Sequence, residues 1–298
     1  MEVLAPETDV SAAPDINLFV LQTGRLPKLG DPIPPWRYRG WLLYLVQLAD
    51  SHPGLPGRWT HHLCTLEAGH LLEEPIPRIE FALANLDSGR KMLEQSLKLI
   101  HQQDYSWGSF NRLVDWLAWG LAVSSEMPPL KESTHEALYR TFNLEPLLLN
   151  PHDYLGWMLA ERHSNGWNPN AFFPTPHPVV ELMVQMTLGE AGQDQEKARD
   201  PRLNTVLDPC VGTGRMLLHA SNFSYCLYGC DIDPLVAMIT RINGALYAPW
   251  LAFPFPKEIL GIAVPPPPPA PLPVPEEYKP SGGETLFRCD DRGQGLLF

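Results

Sequence analysis

Apolar positions along the chain change their period more than once, and the changes divide it. Residues 1–35 carry Pro6, Pro14, Pro27, Pro32, Pro34 and Pro35 without a sustained period, which predicts an irregular leader laid over the surface. From there to about residue 150 the period is helical. Leu86, Leu93, Leu97 and Ile100 recur at helical spacing, and Leu113, Trp116, Leu117, Gly120 and Leu121 form one stripe. Asn150-Pro151-His152-Asp153 reads as the capped start of a further helix, with Leu155, Met158 and Leu159 on its apolar side. A loop rich in Asn, Gly and Pro (Asn165 to Pro176) separates it from a second amphipathic helix, marked by Val179, Leu182, Met183 and Met186. Gly189 to Asp200 is a polar connection.

Beyond that connection the texture changes to two strand–turn–helix units, Asn204–Asn222 and Tyr225–Tyr247. Their alternation predicts parallel strands joined by crossover helices, an α/β domain. After Tyr247 one short apolar run, Ile259 to Val264, leaves room for a single further strand. Eight of the eleven residues from Pro265 to Pro275 are proline, which holds neither a helix nor a central strand and predicts polyproline II. That strip reads as a stiff spacer or as a docking strip for an aromatic-lined groove. The expected organisation is a leader and helical domain over 1–150, an α/β domain over 151–262, and a proline-rich linker and tail over 263–298. No internal repeat is found.

The chain has 298 residues, is 44% hydrophobic and carries nine tryptophans, enough for a sizeable core. Its 33 prolines are roughly twice ordinary usage. The formal net charge is −12, and acids exceed bases in 1–150, in 151–200 and in 201–298 alike. That balance excludes a surface built throughout to neutralise phosphates, while a local basic groove stays open. Trp36, Trp41, Trp107, Trp116 and Trp119 are read as packing between helices in preference to a base-stacking surface. The five cysteines form an odd, sparse set without metal-like pairs, so neither a disulfide framework nor a metal site is expected. Cys226 and Cys230 fall in a segment that reads as a buried strand, and are taken as core thiols. No signal pattern opens the chain and no apolar run approaches a membrane span, so the expected compartment is the reducing cytoplasm, without membrane contact.

The candidate chemistry lies in Val206-Leu207-Asp208-Pro209-Cys210-Val211-Gly212-Thr213-Gly214-Arg215-Met216-Leu217. An apolar strand ends in an acid, the chain turns on glycines, and a helix begins. Glycines serve where a ligand approaches the backbone closely and where positive φ is needed. The third glycine of the dinucleotide fingerprint is absent, with Leu217 in its place, which counts against a nicotinamide cofactor. Asp208 at the strand end suits a ligand bearing positive charge better than one bearing phosphates. In the second unit, Tyr228-Gly229-Cys230-Asp231-Ile232-Asp233-Pro234, Asp231 lies 23 residues after Asp208, where an acid takes both hydroxyls of a ribose. Asp233 before Pro234 is better read as a helix N-cap, which leaves Asp231 for the ligand.

These residues resemble the S-adenosyl-L-methionine-binding core of adenine-specific DNA methyltransferases, most of all the modification subunits of type I restriction systems and related bacterial enzymes. Phe172-Phe173-Pro174-Thr175-Pro176 resembles the aromatic–Thr–Pro element that precedes the glycine loop in that family, and Asp153-Tyr154-Leu155-Gly156 the short helix leading into it. The resemblance covers roughly 150–250. It implies a Rossmann-like methyltransferase core with Phe173, Thr175, Asp208, Pro209, Gly212, Gly214, Asp231 and Ile232 at the cofactor. Thr175 would hydrogen-bond the methionine carboxylate, or would simply introduce the helix at Pro176. Asp208 would bind the methionine amine, Gly212 and Gly214 would let the backbone pass beneath the cofactor, Asp231 would take the ribose hydroxyls, and Ile232 would lie against the adenine.

The family's catalytic signature, an Asn or Asp followed by two prolines and an aromatic, occurs nowhere in the sequence. That signature holds the target amino group and stacks on a flipped base. Room for one more strand also leaves the sheet short of the family's usual seven. The resemblance therefore implies cofactor binding with catalysis lost or dependent on another protein subunit, which would also supply contacts to DNA, and no residue is assigned as catalytic. Two further readings stand beside it: an active DNA adenine methyltransferase with a non-standard acceptor site, and a scaffold docking partners through the proline strip.

Overall fold

The computed structural model of the chain describes residues 13–103, 108–163, 172–189 and 200–261. Its helices are α1 (Ile16–Thr23), α2 (Trp41–Ala49), α3 (Arg58–Ala68), α4 (Asp87–Gln103), α5 (Ser109–Gly120), α6 (Glu132–Thr141), α7 (Glu145–Leu149), α8 (Tyr154–His163), α9 (His177–Leu188), α10 (Arg215–Ala220), α11 (Pro234–Tyr247) and α12 (Pro249–Ala252). The strands are β1 (Val206–Asp208) and β2 (Leu227–Gly229), which pair in parallel with Leu207 opposite Tyr228 and Asp208 opposite Gly229.

Both strand–turn–helix units form where the sequence predicts them. β1 turns on glycines into α10, and β2 turns through Asp233, whose side chain caps α11 by accepting from Leu235 N at 2.9 Å. The place of the missing third glycine is explained by the opposite strand. Leu217 is fully buried, and a Cβ on Gly229 would lie 2.9 Å from its Cδ1, so Gly229 of β2 provides the close approach between helix and sheet.

The helices predicted upstream pack against this unit. α5 buries Leu113, Trp116 and Leu117 among residues of α4, α8 and α11, including Leu93, Leu155, Ile239 and Ile242. A second cluster joins α9, α10, β2 and α12 through Val180, Val184, Leu217, Leu227 and Trp250. Trp36, Trp41, Trp116 and Trp119 are all buried, in keeping with packing between helices, while Trp107 lies outside the described residues.

Four expectations are corrected. The leader is not irregular throughout: α1 starts at an N-cap, Asp15, whose side chain accepts from Asn17 N and Leu18 N, and ends at Gly24 with φ +67°. Pro14 and Pro27 bracket that helix, which is where prolines are tolerated. The predicted face of α9 is turned outward, because Val179, Leu182, Met183 and Met186 are 46–67% exposed while His177, Val180 and Val184 face the core. Cys226 is buried as expected, but β2 ends at Gly229 and leaves Cys230 exposed. Finally, residues 257–261 form a turn where the start of the short apolar run was expected as a strand, while 262–264 and the proline strip lie outside the described residues.

One buried cation ties the helical region to the strand–helix unit. Arg58 on α3 donates from Nη2 to Ser221 O and Ser221 Oγ, both at 2.8 Å, from Nη1 to Asn222 Oδ1 at 3.2 Å, and stacks over Trp250 at 4.4 Å. Burial lowers its pKa. Arg58→Met is expected to cost about 1–3 kcal/mol, since it strips the donor from buried acceptors. Urea denaturation of wild type and variant checks it, and an unchanged midpoint would contradict it.

Candidate functional site

The turn after β1 is built to bring backbone, rather than side chains, to the strand ends. Gly212 and Gly214 sit at φ +55° and +88°. A Cβ on Gly214 would lie 2.8 Å from Thr240 Cγ2 of α11, so the position has neither the conformational nor the spatial room for a side chain. Gly214→Ala is accordingly expected to cost about 1–3 kcal/mol through positive φ and overpacking. A thermal melt measures it, and a melting temperature equal to wild type would count against this account of the loop.

Asp231 closes the loop from β2. Its Oδ2 accepts from Gly212 N at 2.9 Å and its Oδ1 from Asp233 N at 3.0 Å. Thr240 Oγ1 donates to Gly212 O at 2.8 Å from the other side. Asp231 therefore has a structural task that the sequence did not reveal, and each carboxylate oxygen keeps a lone pair for a further donor. Asp208 makes a more local contact, its Oδ1 accepting from Cys210 N at 3.1 Å.

Beneath the loop lies a polar cluster missed from the sequence. Asp153, fully buried ahead of α8, accepts at Oδ1 from Gly156 N and Asn243 Nδ2, each at 2.9 Å. At Oδ2 it accepts from Thr213 Oγ1 at 2.5 Å and from Arg215 Nε at 2.8 Å. Burial pushes the Asp153 carboxyl up, but the Arg215 charge and the hydrogen bonds from Thr213, Asn243 and Arg215 outweigh it and hold the pKa below its ordinary value. Arg215 also donates from Nη1 to Thr175 O at 3.0 Å, which ties the segment before α9 to the loop. Only the capping role of Asp153 was legible in sequence; its other partners lie 60 and more residues away along the chain.

Around this frame the strand ends, the loop and residues 172–175 enclose an open cleft of ≈ 510 Å³. Seven of the eight positions singled out from the sequence line it: Phe173, Thr175, Asp208, Pro209, Gly212, Asp231 and Ile232. Gly214 stands behind the wall, against α11. Among the lining residues three are acids, Asp208, Asp231 and Asp233, and one, Arg215, is a cation. Phe173 and Ile232 are 81% and 86% exposed at the cleft, apolar surface with nothing packed on it.

A family model described as N-6 DNA Methylase matches residues 156–248. The matched stretch runs from α8 to the residue after α11 and takes in the glycine loop, both strand-end acids and the residues 172–176. It relates this part of the chain to DNA adenine methyltransferases. No curated protein and no solved structure matches the chain.

Histidines crowd the back of the same site. His177 Nδ1 lies 2.9 Å from His219 Nε2, and Phe81 stacks on His177 at 5.2 Å. Burial, and then the nearby Arg215 charge, push His177 down to about 3 and His219 to about 4. Among the described residues no group of three or more His, Cys, Asp or Glu could hold a metal ion. No helix of the described residues is long and apolar enough to cross a membrane.

Proposed function

We propose that the cleft binds S-adenosylmethionine in a Rossmann-like methyltransferase core, and that the chain is a degenerate or partner-dependent relative of DNA adenine methyltransferases. The observation that carries this reading is the charge layout of the cleft: acids at the ends of two parallel strands, a glycine loop between them, and one oriented cation. A zwitterionic ligand with a ribose fits that layout. Gly212 leaves the loop bare where a cofactor must lie close, and the exposed Ile232 offers an apolar surface to a planar base.

In this reading Asp231 takes the ribose hydroxyls with the lone pairs its loop contacts leave over. Asp208 holds the ammonium of the amino-acid end. Arg215, clamped by Asp153 and by the Thr175 carbonyl, receives the carboxylate together with the Thr175 hydroxyl. When bound, S-adenosylmethionine supplies a methyl group made electrophilic by its sulfonium. The chain's own contribution is to bind and orient it, since the Asn/Asp-Pro-Pro-aromatic signature is absent from the sequence. The acidic balance of the chain further supports leaving DNA contacts to another subunit.

Ligands with and without the carboxylate test the assignment. S-adenosylmethionine is expected to bind about 10–100-fold more tightly than decarboxylated S-adenosylmethionine, which lacks only the carboxylate, the value of a charge-assisted hydrogen bond pair. Arg215→Gln is expected to erase most of that preference. Equal affinities in the wild type would remove Arg215 from the site. Tritiated methyl transfer to DNA, by the chain alone and with candidate partner subunits, separates a lone enzyme from a partner-dependent one.

A further inference from the structure

Cys210 lines the cleft, and Cys230 stands opposite it across the strand ends. Cys230 N donates to Asp208 O at 3.1 Å, and Cys230 O accepts from Val211 N at 3.0 Å. In a regular parallel ladder one residue stands between two such bonds. Here two residues, Pro209 and Cys210, occupy the interval, so the pair bulges opposite Cys230. The Cys230 thiol leans into that bulge, donating to Pro209 O at 3.4 Å, and the same carbonyl carbon is bonded to Cys210 N. Cys210 is thus one of the two residues facing Cys230 across strands that run about 4.8 Å apart, and a disulfide tolerates Cα separations of about 4.4–6.8 Å. Both cysteines are exposed, and Cys210 lines the cleft. The other described cysteines lack this combination: Cys226 is buried in the core and Cys64 sits on α3.

From this juxtaposition we infer that Cys210 and Cys230 form a redox-modification site, a dithiol that closes to a disulfide on meeting a low-molecular-weight disulfide such as oxidised glutathione. One cysteine thiolate attacks a sulfur of the reagent, forming a mixed disulfide and expelling one glutathione thiolate. The second cysteine then attacks the protein sulfur of that mixed disulfide, which forms the Cys210–Cys230 bond and expels the other glutathione. The two protons lost by the cysteines end on the two reduced glutathiones. The protein is oxidised by two electrons and the reagent reduced by two. The closed form pins the Pro209–Cys210 bulge to the end of β2 and so alters the wall of the cleft.

Incubation of the full chain with oxidised glutathione, alkylation of remaining thiols, digestion and mass spectrometry test the inference. The expected product is a linked pair of peptides carrying Cys210 and Cys230, two hydrogens lighter than their sum, lost on reduction and absent from Cys230→Ser. Alkylation of both thiols, or a separate glutathione on each, would overturn it. A second arm adds adenosylhomocysteine before the oxidant. Slower linking is expected if the ligand lies against Cys210, and this arm rests on the cofactor reading proposed above. Linking at an unchanged rate keeps the dithiol and counts against that reading, whereas no linking in either arm sinks the dithiol alone.

Discussion

Replacing Asp153 with alanine is expected to lower the stability of the fold by about 3–5 kcal/mol, the range for stripping one partner from a buried ion pair. The carboxylate is fully buried and accepts from four donors, one of them a guanidinium whose side chain is 11% exposed. Without it, Arg215 keeps its charge in a poorly solvated place and Asn243 and Thr213 lose a common acceptor. A domain of this size has about 5–15 kcal/mol in hand, so the variant would stand near unfolding. Asp153→Asn keeps the shape and the hydrogen-bonding oxygen but loses the charge, and should be destabilised too. Urea midpoints at constant slope measure both. A loss below about 1 kcal/mol for the alanine variant, in the range of an exposed pair, would mean that the network does not hold the loop.

Between pH 7 and pH 5 stability is expected to fall steeply. His62, His135 and His219 are pushed down to about 4 and His177 to about 3, first by burial in every case. A histidine with a depressed folded-state pKa binds its proton more readily when unfolded. Its contribution is complete above the ordinary value of 6.5 and is lost as pH falls from there toward 3 to 4. Each such group adds a slope of up to about 1.4 kcal/mol per pH unit. Around His177, the Arg215 charge and the neighbouring His152 and His219 oppose the proton, while Asp153 favours it. His62→Phe should flatten the profile, because a phenyl ring can take the place of the imidazole against Phe255 and Trp59. A stability that stays level from pH 7 to pH 5 would contradict these burial effects.

The parts of the fold that sequence could show were those dictated by neighbours in the chain. Asp233-Pro234 announces a cap, the two glycines announce a positive-φ turn, and both do so in the structure. The same local signals stand at Asp15 and Gly24, where prolines on either side obscure a short helix. Helix α9 shows a different limit. Its apolar residues cover more than one face, and hydropathy alone does not say that Val180 and Val184 turn inward while Leu182 and Met186 do not. The cleft positions were legible because glycines and strand-end acids carry their geometry with them. The Asp153 cluster was not, because Thr213, Arg215 and Asn243 meet it only through tertiary packing. Asp231 was legible as a residue but not in its full role, since its bonds to the loop exist only once the strands are paired.

The proposed binding of S-adenosylmethionine through Asp231 makes a direct demand on affinity. Titration calorimetry of the full, reduced chain with S-adenosylmethionine tests it, with the urea midpoint of each protein measured alongside because Asp231 also fixes Gly212. Binding by the wild type is expected, weakened about 10–100-fold in Asp231→Ala, the effect of losing a charged acceptor. No heat of binding at cofactor concentrations on the order of millimolar, or equal affinity in a folded Asp231→Ala, would contradict it.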